Sequence, residues 1–339
     1  MKKGDCRAWC VCTTCSVRRT RPEKESAVKV GVIGTGHWGG NLVRNLAEMQ
    51  VLAGVADPLE GNRSRSLEDS PGIETFEDAT SLLGAGYDAV AIATPAATHF
   101  EIAREALEAG MDVFVEKPMT LNPQDASDLH QQALQEDRIL MVGHLLLYQP
   151  AIDFIARYLR AGDLGEVYTM HQRRSKLGRV RDKENVMWSF GVHDVAVLLS
   201  LAGEAPTRVL ASGHAALTPG VEDDTYLHLE FASGVKAHLH NSWLWPRIER
   251  ELIVTGERGI LVFDEQASQV VLHRKTVDPG LAHHDGGEEI LFEGSGQPLR
   301  LELEHFLECC RERKQPRSDG RNGFEVVQVL QEAEAQLKG

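Results

Sequence analysis

The sequence predicts an α/β protein. A doubly wound parallel sheet is followed by a second α/β domain built on a large, mostly antiparallel open sheet. Three observations carry this. Apolar runs of strand length alternate with amphipathic helical patterns from about residue 28 to 145. A glycine-dense turn joins the first of these strands to the first helix. Beyond residue 150 the pattern changes, and several segments repeat with a period of two.

The first element is the run "AVKVGVIG", a strand buried on both faces, which passes through "GTGHWGGNLVRNLAEM" into a helix. Gly34, Gly36 and Gly39 satisfy G-x-G-x-x-G. The first permits a tight turn, the second lets a pyrophosphate approach the backbone, and the third lets helix and strand pack closely. The helix N-terminus offers unpaired N–H groups and a positive dipole end to the same anion. A second strand, "VLAGVADP", ends in Asp57, where a carboxylate can hold a ribose 2′-hydroxyl and repel a 2′-phosphate. The expected cofactor is therefore NAD rather than NADP, although Arg63 and Arg65 follow closely.

Next come the strand "YDAVAIATP" and a helix expected to open on a capping box, Thr98 with Glu101 three residues later. "MDVFVEKP", "NPQDASDLHQQALQED" and "RILMVGH" continue the alternation as strand, helix and strand. Parallel sheets bind ligands at the carboxyl ends of their strands. Thr94-Pro95 and Glu116-Lys117-Pro118 stand at such ends. The cofactor candidates are Gly34, Thr35, Gly36, His37, Trp38, Gly39, Asp57, Thr94, Pro95, Thr98, His99, Glu116 and Lys117. This dinucleotide-binding domain is expected over 28–148 and a substrate and oligomerisation domain over 149–339.

The second domain opens with the helix "PAIDFIARYLRAG" and the strand "EVYTMHQRRS". A basic loop then leads to the helical "SFGVHDVAVLLSLAG", with Ser189 as its expected N-cap. Val195, Leu198, Leu199 and Ala202 form its apolar stripe, with His193 on the opposite side. In "TYLHLEF", Leu227, Leu229 and Phe231 share one face. In "VKAHLHN", Val235, Ala237 and Leu239 do the same against Lys236, His238 and His240. The histidine-rich face is assigned to solvent or to a second subunit, and no metal ligand is assigned. Two helical segments, 299–313 and 322–338, close the chain.

Thirty-six basic against fifty acidic residues give a net charge of −14, which argues against nucleic acid and anionic membrane as partners. No apolar run reaches membrane-spanning length, and Arg18-Arg19 is followed by no hydrophobic segment, so a cytoplasmic protein is expected. Cys6, Cys10, Cys12 and Cys15 crowd "CRAWCVCTTC" without the spacing of paired zinc knuckles. Residues 1–27 are read as a disordered extension.

"GVIGTGHWG", "ATPAATH", "EKP" and "GVHDV", in this order, resemble the Gfo/Idh/MocA family of NAD(P)-dependent sugar and cyclitol oxidoreductases. The resemblance spans about 28–338 and implies a Rossmann domain followed by a domain with a large open sheet. By position it implies that Lys117 and His193 are the active-site polar pair. Many members carry aspartate four residues before that histidine, where this chain has Ser189. That departure, with "GRVRDKENVMWSFGVHDVAVLLSLAGE" and "NSWLWP", resembles the branch of UDP-N-acetylglucosamine 3-dehydrogenases, which make a 3-keto sugar nucleotide on the way to 2,3-diamino sugars.

The chemistry fits those two side chains. Oxidising a secondary alcohol sends a hydride to the nicotinamide and a proton to a base, and neutral imidazole can accept it. Lysine can stabilise the reacting oxygen. Which of the two takes the proton stays open at this point. Arg173, Arg174, Lys176, Arg179, Arg181 and Lys183 fall within eleven residues before the His193 helix, and arginine forks suit diphosphate oxygens. The substrate candidates are Arg174, Arg179, Arg181 and His193, with Tyr148 and Asn185 for sugar hydroxyls. The expected partner is a UDP-sugar, and the expected assembly a homodimer or homotetramer through the second sheet. The alternatives are a dehydrogenase for UDP-N-acetylglucosaminuronate, inositol or another sugar, and a nonenzymatic NAD-sensing regulator on the same fold. Retention of both Lys117 and His193 argues against the sensor.

Overall fold

The computed structural model describes residues 28–338. The N-terminal cysteine cluster and the extension expected over 1–27 lie outside the described residues. The first sheet contains β1 (Val30–Ile33), β2 (Leu52–Ala56), β3 (Glu74–Phe76), β4 (Ala89–Ile92), β5 (Asp112–Glu116) and β6 (Leu140–Gly143). Its order is β3-β2-β1-β4-β5-β6, with every pairing parallel. The order reverses between β1 and β4, which opens a crevice above their carboxyl ends.

Helices α1 (Gly39–Glu48), α2 (Glu60–Asp69), α3 (Ala79–Leu83), α4 (His99–Glu108) and α5 (Pro123–Gln135) connect these strands. All residues of β1, β4, β5 and β6 are buried, as expected of a parallel sheet covered on both faces. Asn122 caps α5 through Oδ1, which accepts from Asp125 N at 2.9 Å, with Pro123 at the first helical position. The capping box expected at Thr98 does not form. A 3₁₀ turn over Ala96–Thr98 runs directly into α4, and the Thr98 hydroxyl turns back to Thr94 Oγ1 and Pro95 O, each at 2.8 Å.

The second unit contains α6 (Pro150–Arg160), β7 (Val167–Ser175), α7 (Val192–Ala202), β8 (Pro206–His214), β9 (Asp224–Phe231), β10 (Lys236–Ser242) and β11 (Glu249–Gly256). It continues with β12 (Gly259–Asp264), β13 (Gln269–Val277), β14 (His283–Glu293), α8 (Pro298–Glu312) and α9 (Gly320–Leu337). Its eight strands run in the order β14-β13-β12-β11-β7-β10-β9-β8. Only the central pair β10 and β7 is parallel. Leu239 lies opposite Leu227, and both point with Leu229, Ala237, Leu252 and Val254 into the core. His171, His228 and His238 take the other face, as the two-residue period predicts.

The C-terminal helices return to the first sheet. Phe306 of α8 packs edge-on against Phe114 of β5, with ring centroids 5.7 Å apart. Helix α7 is more central than its expected stripe implied, because Val192 and every residue from Asp194 to Leu199 are buried. Nor is Ser189 its N-cap. A π-helical turn over Met187–Gly191 precedes α7, and Asn185 Oδ1 receives the Trp188 N–H at 3.1 Å. Among the described residues no helix is long and apolar enough to cross a membrane.

Candidate active site

The glycine turn has the shape its spacing requires. Gly34 has φ +85°, and a Cβ there would meet Ala93 O at 2.8 Å, so the turn packs on the end of β4. A Cβ on Gly39 would fall 1.9 Å from Gly34 O, so α1 can approach β1 only without a side chain. A Cβ on Gly36 would meet nothing within 4 Å, which leaves backbone accessible to a pyrophosphate. The first turn of α1 carries no acidic residue and no side-chain cap, so its N-terminal charge is left for a ligand. Thr35 and Asp57 are buried, while His37 and Trp38 are exposed at the rim.

Asp57 follows β2 directly. Its Oδ2 accepts from Thr35 N at 2.8 Å and from Asn62 Nδ2 at 3.1 Å, and Oδ1 accepts from Leu59 N at 2.9 Å. Arg63 donates to the Asp57 and Pro58 carbonyls at 2.7 and 3.1 Å, and its other nitrogen lies 3.5 Å from Glu77. The carboxylate thus belongs to the glycine turn itself, and the arginine is engaged on backbone oxygens.

His99, among the cofactor candidates, staples two loops. It is buried, with Nδ1 2.8 Å from Pro118 O and Nε2 2.9 Å from Thr94 O, tying the loops after β4 and β5 together. Burial lowers its pKa against the two carbonyl contacts, which favour the charged ring.

Glu116 and Lys117 end β5. Glu116 is buried, accepts from Trp38 Nε1 and from Lys117 N (3.3 Å), and burial pushes its pKa up to about 7. Gly143 makes room for it, since a Cβ there would lie 3.0 Å from Glu116 Oε2. Lys117 Nζ donates to Ser189 O at 3.4 Å. Burial lowers the lysine pKa, Glu116 and Glu184 oppose that, and Arg181 adds to it.

His193 stands one turn beyond Ser189 and is partly exposed, with Nδ1 buried and unpartnered, so Nε2 is its open nitrogen. Burial takes its pKa well below 6.5, and Lys117, His144 and Arg174 add to the shift. Its neighbour in "GVHDV", Asp194, is fully buried. Asp194 accepts from Arg174 Nε at 2.9 Å, Gln172 Nε2 at 3.2 Å and Asn241 Nδ2 at 3.0 Å, and so locks α7 to the sheet.

Three substrate candidates are buried and bonded within the fold. Arg174 is buried between Asp194 and Glu265, each at 2.9 Å; burial opposes its charge, but the two carboxylates outweigh that. Asn185 is buried, donating to Glu222 Oε2 at 2.9 Å besides capping the π turn. Tyr148 is buried with its hydroxyl 2.9 Å from Ser318 Oγ. Arg179 and Arg181 are exposed on the loop before the π turn, where Arg181 pairs with Glu184 at 3.3 Å.

Two residues were not anticipated. His144 follows β6 directly, is 1 % exposed, and has both ring nitrogens unpartnered. Its ring lies edge-to-face with that of His193, centroids 6.4 Å apart. Glu302 of α8 is fully buried with both oxygens unpartnered, and burial raises its pKa well above the carboxylate range, Glu116 adding to the shift. The strand-end rule pointed to His144, which closes "RILMVGH" as Lys117 closes "MDVFVEKP"; Glu302 carries no such signal in its helix.

A glycine turn for a dinucleotide, with a lysine at the sheet's carboxyl edge and a neutral-leaning histidine on α7 near it, defines a nicotinamide-dependent oxidoreductase. The chain matches "Oxidoreductase family, NAD-binding Rossmann fold" over residues 28–144 and "GFO/IDH/MocA C-terminal domain" over 153–262. It belongs to the Gfo/Idh/MocA family, and its cofactor is NAD. It is 34% identical to the UDP-N-acetylglucosamine 3-dehydrogenase of Acidithiobacillus ferrooxidans over 194 residues, 56% of this chain and 59% of that one. The solved structure of that enzyme gives a TM-score of 0.81 at 26% identity, covering 91% of this chain and 97% of that chain. The scyllo-inositol 2-dehydrogenase (NAD(+)) of Bacillus subtilis is 28% identical over 314 residues, 86% of this chain and 89% of that one. The WlbA dehydrogenase of Bordetella pertussis, solved with NADH and UDP-GlcNAcA, gives a TM-score of 0.75 at 17% identity over 92% of this chain and 96% of that chain, a likeness of fold alone.

Proposed function

We propose that the protein oxidises the 3-hydroxyl of UDP-N-acetylglucosamine to the 3-keto sugar nucleotide. The observation that carries the chemistry is the placement of Lys117 Nζ on the Ser189 carbonyl, one helical turn before His193. Bound NAD supplies the hydride acceptor. Lys117 donates to the reacting oxygen and stabilises the charge that develops on it. His193, neutral at working pH, takes the hydroxyl proton on Nε2. This assignment gives the proton to the histidine because its neutral ring leaves Nε2 open to accept one, with Nδ1 buried behind it.

The sugar nucleotide is favoured by the 34% identity to a 3-dehydrogenase and by the exposed Arg179 and Arg181 beside the site. A second reading, oxidation of a free cyclitol, rests on the longer match to the scyllo-inositol enzyme. The uronic acid sugar nucleotide is a close variant of the first. Incubating the protein with NAD and a panel of UDP-N-acetylglucosamine, its uronate and inositols, and following NADH absorbance, separates them. Self-association through the outer face of the second sheet, where His171, Tyr226 and His228 are exposed, belongs to the same proposal and is read by light scattering.

A further inference from the structure

We propose that His144 is a positioning residue for His193: its imidazole and Nδ1 of His193 share one enclosed polar site, filled by a single water, that fixes which nitrogen of His193 carries the proton. The inference rests on the reading of His193 as the base.

Both nitrogens of His144 and Nδ1 of His193 are buried without a protein partner. A buried polar group left unpaired is costly, so three such nitrogens on adjoining rings mark a polar site rather than packing. No direct hydrogen bond joins the rings, which meet edge to face with centroids 6.4 Å apart, so a water at the rim of this contact would bond Nδ1 of His193 and one nitrogen of His144. A buried water needs two or more polar partners, and these nitrogens supply them. Among the described residues no carboxylate is bonded to these three nitrogens. Asp194 is committed to Arg174, Gln172 and Asn241, and position 189 is a serine.

The consequence is a tautomer. With Nδ1–H donating into the enclosed site, Nε2 is bare on the open side of the ring and can accept the substrate proton. Burial disfavours a proton on either ring, and Lys117 adds to it, which keeps the pair neutral before reaction.

The test begins with the wild-type full-length protein, ¹⁵N-labelled at histidine, using ring correlations at neutral pH assigned with His193→Ala. The expected result is a neutral His193 protonated on Nδ1. A proton on Nε2, or a cationic ring, overturns the proposal. His144→Phe keeps shape and removes both nitrogens; it should mix the two tautomers of His193 and lower kcat ~10-fold or more, with KM for NAD within about twofold. His144→Gln, which keeps a polar end, should recover part of the rate. Wild-type kcat and an unchanged tautomer in His144→Phe overturn the proposal as well. The tautomer needs no substrate, so it decides this point even if no alcohol in the panel is oxidised and the dehydrogenase reading fails.

Discussion

Lys117 Nζ lies 3.4 Å from the backbone oxygen of Ser189, so the end of a Rossmann strand is tied to the π turn that launches the second domain's central helix. Helix α7 is buried along most of its length and pinned by Asp194, so His193 is held by the fold and not by a loop. Lys117→Met and His193→Ala should therefore each lower kcat by ~10²-fold or more while leaving NAD affinity nearly unchanged. Steady-state rates and fluorescence titration of NADH check this; a near-normal rate in either variant removes that residue from the mechanism.

NAD should bind more tightly than NADP, because Asp57 stands at the end of β2 with its carboxylate on the glycine turn. Asp57→Ala should narrow that preference, at some cost in NAD affinity as Thr35 N–H loses its acceptor. Parallel titrations of both cofactors measure it. Equal affinities in the wild type would show that Arg63 leaves its backbone acceptors for a 2′-phosphate.

Arg174 separates a structural from a substrate role. Removing one member of a buried ion pair leaves the other charge uncompensated and costs about 3–5 kcal/mol. Arg174→Met should lower stability on that scale, measured by urea unfolding, while any soluble protein keeps its affinity for UDP. A stable variant with weakened UDP binding would return Arg174 to the substrate site.

Acid should destabilise the fold through its buried imidazoles. His144 stays neutral down to about 3 in the folded chain, against 6.5 for the free group. Below pH 6.5 the unfolded state therefore binds more protons, and stability falls by up to about 1.4 kcal/mol per pH unit for this one ring. His193 acts in the same direction. Glu116, Glu302 and Asp194 oppose them: burial raises the pKa of each, to about 7 for Glu116, so protonation favours the folded state, a contribution lost as pH rises through the raised pKa. His144→Phe should flatten the decline between pH 6.5 and 5 in unfolding titrations. An unchanged slope would mean that His144 is not held neutral.

The parts of this site legible in the sequence are those where one residue type is required by backbone geometry or by strand order. Gly34 and Gly39 are readable because only glycine suits those positions, Gly36 because a pyrophosphate must approach its backbone, and Lys117 because alternating strands and helices locate the sheet's carboxyl edge. What failed was the assignment of polar residues to surface or core. The basic run begins inside β7, so the two-residue period sends Arg173 outward and Arg174 inward to Asp194. Asn185 and Tyr148 are likewise buried on partners, Glu222 and Ser318, that are far away in sequence. Ser189 was misread as a cap because a π turn has no distinctive residue pattern.

What survives of the basic loop decides the substrate. Arg179 and Arg181 are exposed, and Arg181 is close enough to Lys117 to depress its pKa, so a diphosphate held by the loop would place the attached sugar toward Lys117 and His193. A charge-assisted hydrogen bond is worth about 1.5–3 kcal/mol, so Arg179→Ala or Arg181→Ala should weaken UDP-N-acetylglucosamine by about ten- to a hundredfold. UDP alone should compete with the sugar nucleotide, because the part that does not react supplies much of the affinity. NAD affinity should stay unchanged, as its pyrophosphate belongs to the turn from Gly34 to Gly39. Inhibition constants for UDP in the wild type and both variants measure this directly. If UDP and UDP-sugars fail to bind at millimolar concentration while a free cyclitol is oxidised, the loop is a solvated surface and the cyclitol reading replaces the sugar-nucleotide one.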